Sequence, residues 1–287
     1  MNHTKILLSA VALSLITLCG AAPAADGPVQ FQKLLDDQAP SIVTLKYILK
    51  GGDQDEEAET LGVVIESGGL VLTSNNAFGG LMARMGGPSQ TPTEIKVLIG
   101  DDTQGLDATF LARDSELQLA WVQLKTPPAK PLTYVDFEKG ASAKLGDLIY
   151  IVGLMGKFFD RAPLIAEGRI GAATTKPREL LIPSVGLAGS ELGMPVFNAA
   201  GKPVGVTTLI IPDQDEVQGS PGGMRAAMRG IVTGAMILPA AEVAAATKRA
   251  KETAANAPAE ATPSNTPAAE PGSDPSAPGK TEPEQPK

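Results

Sequence analysis

Acid-base and nucleophilic chemistry has few side chains to draw on in this sequence. Its one histidine is His3 and its one cysteine is Cys19, and both fall in a stretch that reads as a cleavable export signal. Lys5 supplies the positive start, residues 6–18 the apolar core and Ala22-Pro23-Ala24 a small-residue cleavage site. With residues 1–24 removed, the mature chain holds neither imidazole nor thiol. Thiol nucleophiles, disulfides, His-ligated zinc and every Ser-His or Cys-His pair are thereby excluded. Ser190 could work only with a lysine base, none is near it in sequence, and it reads as a loop hydroxyl. Asp101-Asp102, and Asp213 with Asp215, could share acid and base roles, but their hydrophilic, turn-like settings favour solvated loop carboxylates. Asp53, Asp55 and Glu57 alternate like calcium ligands. Ala58 stands where the loop glycine belongs and Val64 where the closing glutamate belongs, so an acidic surface hairpin loop is favoured. Gly153-Leu154-Met155-Gly156-Lys157 is no phosphate loop, because Ile151 replaces its first glycine and Phe158 its Ser or Thr. No cofactor and no metal are expected.

The elements that must carry these residues are mostly strands. Residues 28–39 have helical spacing, with Pro40 closing the run. Short β-branched or alternating runs follow at 41–49, 61–66, 70–74, 94–99, 105–112 and 117–124. Ser67-Gly68-Gly69 makes a tight hairpin turn between two of them. After Pro127-Pro128 a second set runs through 147–152, 164–172, 179–182, 194–197, 203–211 and 229–235, with Asn198 to Lys202 as a turn. Pro239 then opens an Ala-rich helix over 240–250. The pattern predicts an all-β fold of two six-stranded antiparallel barrels, with short helices at both ends, over residues 25–252. Residues 253–287, rich in Pro, Ala and Glu, are expected to form a disordered tail.

Removing the signal takes away Lys5, its only charged side chain, and moves the formal net charge from -8 to -9. So acidic a chain offers little to nucleic acid or anionic lipid. Residues 6–18 are too short to span a bilayer. Ile16-Thr17-Leu18-Cys19-Gly20 resembles a lipobox, which would anchor the chain through an acylated Cys19; Leu18 departs from that pattern, and cleavage near Ala24 is favoured. A periplasmic or secreted protein is expected, without a transmembrane span.

Several strings, in order and spacing over about residues 40–245, resemble the HtrA/Deg branch of the trypsin-like serine proteases. Gly69-Leu70-Val71-Leu72-Thr73-Ser74-Asn75-Asn76-Ala77 is similar to a hairpin strand ending in Thr-Asn-Asn-His-Val. Gln118-Leu119-Ala120-Trp121-Val122 is similar to Asp-Leu-Ala-Val-Leu. Leu145-Gly146-Asp147, Val152-Gly153 and Glu167-Gly168-Arg169-Ile170 resemble two further family segments. Gly189-Ser190-Glu191-Leu192-Gly193-Met194-Pro195-Val196-Phe197-Asn198 resembles Gly-Asn-Ser-Gly-Gly-Pro-Leu-Val-Asn. The resemblance implies the double-barrel trypsin-like (chymotrypsin) fold and puts Asn76, Gln118 and Leu192 at the catalytic His, Asp and Ser positions. Acyl transfer there needs a base, a carboxylate to hold it and a hydroxyl nucleophile. Asn76 is no base near neutral pH, Gln118 carries no charge and Leu192 has no oxygen. Gly193 keeps the glycine after the nucleophile, whereas Met194 replaces the next one.

The sequence is thus expected to encode a pseudoprotease, not an enzyme, that binds proteins or unfolded peptides in the cell envelope, an active relative among them. Two loops combine glycine, methionine and arginine, and Met82, Arg84 and Met85 in the first and Met224 and Arg225 in the second are candidate partner-binding residues. The family usually continues into PDZ domains, and none is expected here. The competing readings are an endopeptidase with an unforeseen nucleophile and a structural or tethering module that works through its tail.

Overall fold

The computed structural model describes residues 27–51, 54–80, 83, 90–176, 178–184, 192–209 and 235–256. Helix α1 (Gly27–Gln38) leads through a 3-10 turn (Ala39–Ser41) into β1 (Ile42–Gly51), β2 (Gln54–Glu66), β3 (Leu70–Ser74), β4 (Pro92–Leu98), β5 (Leu106–Asp114) and β6 (Leu119–Leu124). The second half runs through β7 (Leu148–Leu154), β8 (Pro163–Thr174), β9 (Leu180–Pro183), β10 (Pro195–Asn198), β11 (Pro203–Thr208) and β12 (Met236–Pro239), and ends in α2 (Ala240–Asn256). The strands close into two antiparallel barrels, β1-β2-β3-β6-β5-β4 and β10-β11-β12-β9-β8-β7. Closure leaves neither sheet an open edge.

Three strands serve two cores at once. Along β2, β3 and β6, Val64, Val71, Ala120 and Val122 point into the first barrel, where they meet Val43, Leu45, Tyr47, Phe78 and Val97. The alternate residues Val63, Leu70, Leu72, Leu119 and Trp121 face the other way and join the apolar cluster of the second barrel and α2. This is the period-2 alternation of a strand with both faces covered, and it leaves every residue of β3 buried. Helix α2 adds Val243, Ala246 and Ala250 at helical spacing. Thr247 accepts a hydrogen bond of 3.1 Å from the Trp121 indole N–H.

Two expectations are corrected, and a third falls almost wholly outside the described residues. Asp55 and Glu57 lie in β2, not in a hairpin loop, opposite Lys50 and Ile48 of β1; the acidic stretch stays extended because its side chains are exposed and Glu57 pairs with Lys46. The last strand among the described residues is β12 at Met236–Pro239, just beyond the expected strand at 229–235. Residues 229–234 are outside the described set, and Ala235 is in no strand. The closing helix continues past Glu252 to Asn256. Ala254 and Ala255 are strong helix formers, and the first following proline is Pro258.

Candidate functional site

Strand β3 leaves the first barrel at Ser74, whose Oγ accepts the Asn76 N–H at 3.2 Å and starts a 3-10 turn, Asn75–Phe78. Two contacts pin that turn. Phe78 is fully buried, edge-on to Tyr47 with ring centroids 4.9 Å apart, and the Tyr47 hydroxyl donates to the Ala77 carbonyl at 2.8 Å. Gly80 follows where a Cβ would sit 2.2 Å from Asn75 Nδ2, so only glycine fits. Asn75 is 1% exposed.

Gln118 sits in the turn between β5 and β6. Asp114 builds it, its Oδ1 accepting the N–H groups of Glu116 at 3.0 Å and Leu117 at 2.9 Å. Gln118 itself has φ +56°, a left-handed conformation unusual for a non-glycine residue, and its Nε2 donates to the Ser115 carbonyl. Its carbonyl accepts the Asn75 N–H at 2.9 Å, which joins this turn to the end of β3. From the second barrel, the Thr208 hydroxyl donates to the Leu117 carbonyl at 2.9 Å, in a fully buried bond.

Leu192 is half-buried and precedes Gly193, whose φ is +88°. Gly193 donates to the Thr207 carbonyl at 2.7 Å, Met194 N donates to Thr207 Oγ1 at 2.9 Å and Thr207 N returns to the Met194 carbonyl at 2.9 Å. A Cβ on Gly193 would lie 2.7 Å from Ser74 N. The segments bearing Asn76, Gln118 and Leu192 are therefore gathered around one point, the exit of β3, where the two barrels meet.

The polar groups at that point are amides. Both side-chain polar atoms of Asn75 and of Asn76, and Oε1 of Gln118, are buried without a hydrogen-bond partner among the described residues. An unpaired buried amide is costly, and an amide can donate and accept hydrogen bonds but takes no proton near neutral pH. The nearby carboxylates have structural work: Asp114 caps the turn and lies 3.6 Å from Arg249, and Glu116 pairs with Arg178 at 3.1 Å. Arg113 of β5 lies 4.8 Å from the Phe110 ring centroid and donates to the Gln90 carbonyl at 2.7 Å. Burial lowers its pKa from the usual arginine value.

The other sequence candidates lie apart from this point or outside the described set. Asp102 caps its own turn by accepting from Gln104 N and Gly105 N, Gly153 lies in β7 and Lys157 at the tip of the β7–β8 hairpin. Ser190, Met82, Arg84, Met85, Asp213, Asp215, Met224 and Arg225 lie outside the described residues, as do Asp53, His3 and Cys19. Sequence reading missed Asp114 and Thr208. Asp114 has a local signal, an Asp two and three residues ahead of the N–H groups it caps; Thr208 has none. Among the described residues no three His, Cys, Asp or Glu side chains are grouped to hold a metal ion. No helix among them is long and apolar enough to cross a membrane.

Two closed six-stranded barrels meeting at such a point are the architecture of one protease family, and its family model, described as a trypsin-like peptidase domain, matches residues 60–206. The chain belongs to that family. This trypsin-like peptidase domain is similar to the MamO protease domain from Magnetospirillum magneticum (apo form), at 17% identity over 73% of this chain and 97% of that one, with a TM-score of 0.47. It is also similar to Deg5, at 17% identity over 64% of this chain and 86% of that one, with a TM-score of 0.48. No curated protein matches it.

Proposed function

We propose that this trypsin-like peptidase domain is a catalytically inactive homologue of the HtrA/Deg proteases, exported to the cell envelope, that holds segments of other proteins at the junction of its barrels. The observation that carries the reading is the chemistry around the exit of β3. The three segments that the family's motifs align with its catalytic residues converge there, and bring two carboxamides and an isobutyl group, Asn76, Gln118 and Leu192. The reaction needs a base to take the nucleophile's proton and a carboxylate to support that base, and none of these side chains can act so. Binding asks for less. Met82, Met85 and Arg225 in the flanking loops would supply adaptable apolar and cationic contacts. The order of the HtrA/Deg strings supports the branch, and the signal-like residues 1–24 support export.

The test combines two measurements on the chain from residue 25 onward. Incubation with a fluorophosphonate, followed by intact-mass analysis and a casein digest, is expected to give no adduct and intact casein; an adduct with casein loss would sink the inactive reading. Binding of unfolded casein by fluorescence anisotropy is expected to weaken about tenfold in a Met82→Ser/Met85→Ser/Arg225→Ser variant. Unchanged affinity would remove the junction as the binding surface.

A further inference from the structure

The β7–β8 hairpin presents two adjacent exposed phenylalanines, one of them the most exposed large apolar side chain among the described residues. Phe158 is 92% and Phe159 56% exposed, their rings edge to face with centroids 5.0 Å apart. The tip that presents them is not loose. Gly156 O accepts the N–H groups of Phe159 at 2.9 Å and Arg161 at 3.4 Å, Lys157 O accepts from Asp160 at 3.1 Å, and Met155 N donates to Ala162 O at 2.8 Å across the base. Asp160 and Arg161 hold left-handed φ values of +56° and +50°, a backbone that persists only where its surroundings enforce it. The two rings form a fixed knob with Lys157 at its side, and an ordered apolar pair in water marks an interaction site more than a scattered exposed residue does.

Beside this knob lies a groove of about 660 Å³ between α1, the β4–β5 turn and the stem of the same hairpin. Its floor is apolar, with Leu35, Ile99 and Leu154, and carboxylates of Asp36, Asp101 and Asp160 line it. The one cation that lines it, Arg161, is paired with Glu59. Knob and groove are complementary, aromatic and basic against apolar and acidic. Their own hairpin cannot bring them together, since its backbone bonds hold the rings outward.

We infer that a second copy of this chain fills the groove, in a two-fold dimer where each molecule's Phe158 and Phe159 enter the other's groove and Lys157 meets Asp36 and Asp101. A two-fold interface must be self-complementary, the same patch on both partners, and a projection lying next to its own complement meets that condition. The surface lies apart from the exit of β3, so the inference stands independently of the proposed function.

Sedimentation velocity of the chain from residue 25 onward, from about 1 to 100 µM, is expected to show a monomer–dimer equilibrium. Phe158→Ser/Phe159→Ser should raise its Kd about 100-fold or more, as loss of paired aromatic anchors does. Lys157→Glu should raise it about tenfold, and Asp101→Lys added to Lys157→Glu should recover most of that loss. The altered residues are exposed, so circular dichroism and the fluorescence of Trp121, the only tryptophan, should stay unchanged. A wild-type chain that remains monomeric throughout overturns the inference. So does a dimer untouched by the Phe double variant, and so does a monomer that pellets with phospholipid vesicles through Phe158 and Phe159, which would assign the knob to a membrane surface.

Discussion

Replacing Gly193 by alanine tests whether the Leu192 turn is locked against the end of β3. Two costs add at that position. At φ +88° an L side chain pays about 1–2 kcal/mol for the left-handed backbone. The new Cβ would also sit 2.7 Å from Ser74 N and 3.0 Å from the Thr73 carbonyl carbon, and β3 cannot move aside, because it pairs with β2 and β6 and Thr73 Oγ1 is bonded to the Leu61 carbonyl. The turn must lift instead, which breaks the Gly193 to Thr207 hydrogen bond and adds about 1 kcal/mol. The sum is about 2–3 kcal/mol, or roughly 4–12 °C in melting temperature for a domain of this size. Gly146→Ala is the matched control, with φ +87° and nothing within 4 Å of the new Cβ, so it should lose only about 1–2 kcal/mol. Thermal unfolding followed by circular dichroism compares the two. If both variants lose the same stability, the contact between the Leu192 turn and Ser74 is wrong, and with it the convergence of the three segments.

Three further outcomes are expected. Thr247→Val removes the acceptor of the buried Trp121 indole N–H and should cost about 1–3 kcal/mol in urea unfolding, with a shifted emission maximum from Trp121; a loss near zero would contradict the bond. Thr208→Val should cost about 1 kcal/mol and speed hydrogen exchange at Asn75, whose N–H rests on the turn that Thr208 tethers; unaltered exchange would show the two strands uncoupled there. The hydrogen bond from Lys139 lowers the Asp136 pKa from its usual value, so that pair stabilises the fold above the ordinary Asp pKa of about 3.9 and loses its effect as pH falls through the lower folded value. Melting curves of Asp136→Asn should therefore fall slightly below wild type at neutral pH and merge with it once the pH has fallen through that lowered folded value; a gap that persists in acid would assign the effect to something else.

Much of the architecture was legible because local chemistry dictated it. Gly69, at φ +88° in the turn after Glu66, and Asn198, whose Oδ1 accepts from Ala200 N and Lys202 N, mark hairpins that any reader of turns would place. The extension of β2 back to Gln54 was hidden because Asp55, Glu56 and Glu57 have poor strand propensity, and the ladder with β1, helped by the diagonal ion pair of Lys46 with Glu57, overrides it. Strand β12 was not foreseen because the apolar residues ahead of the closing helix do not reveal by themselves that they pair, and Met236 to Pro239 are held by the ladder with Gly205 to Thr208. At the candidate site, Asn76, Gln118 and Leu192 could be singled out only through family strings. What gathers their segments was invisible: the Thr208 hydroxyl reaches a carbonyl 91 positions away, and no local pattern carries such a contact.

The doubly covered strands leave β3 with an unusual problem of alignment. In an ordinary half-buried strand, slipping by one residue drives apolar side chains into water, so polarity alone enforces the pairing. A slip in β3 would exchange Val71 for Leu70 or Leu72 between two interiors that are both dry, and solvent would register no error. The choice falls to shape: Gly62 leaves room for Val71, whose Cγ1 lies 2.6 Å from where a Cβ at 62 would be, and a leucine in that slot would have no such space. Side-chain volume, in place of water, proofreads the strand from which the candidate site hangs.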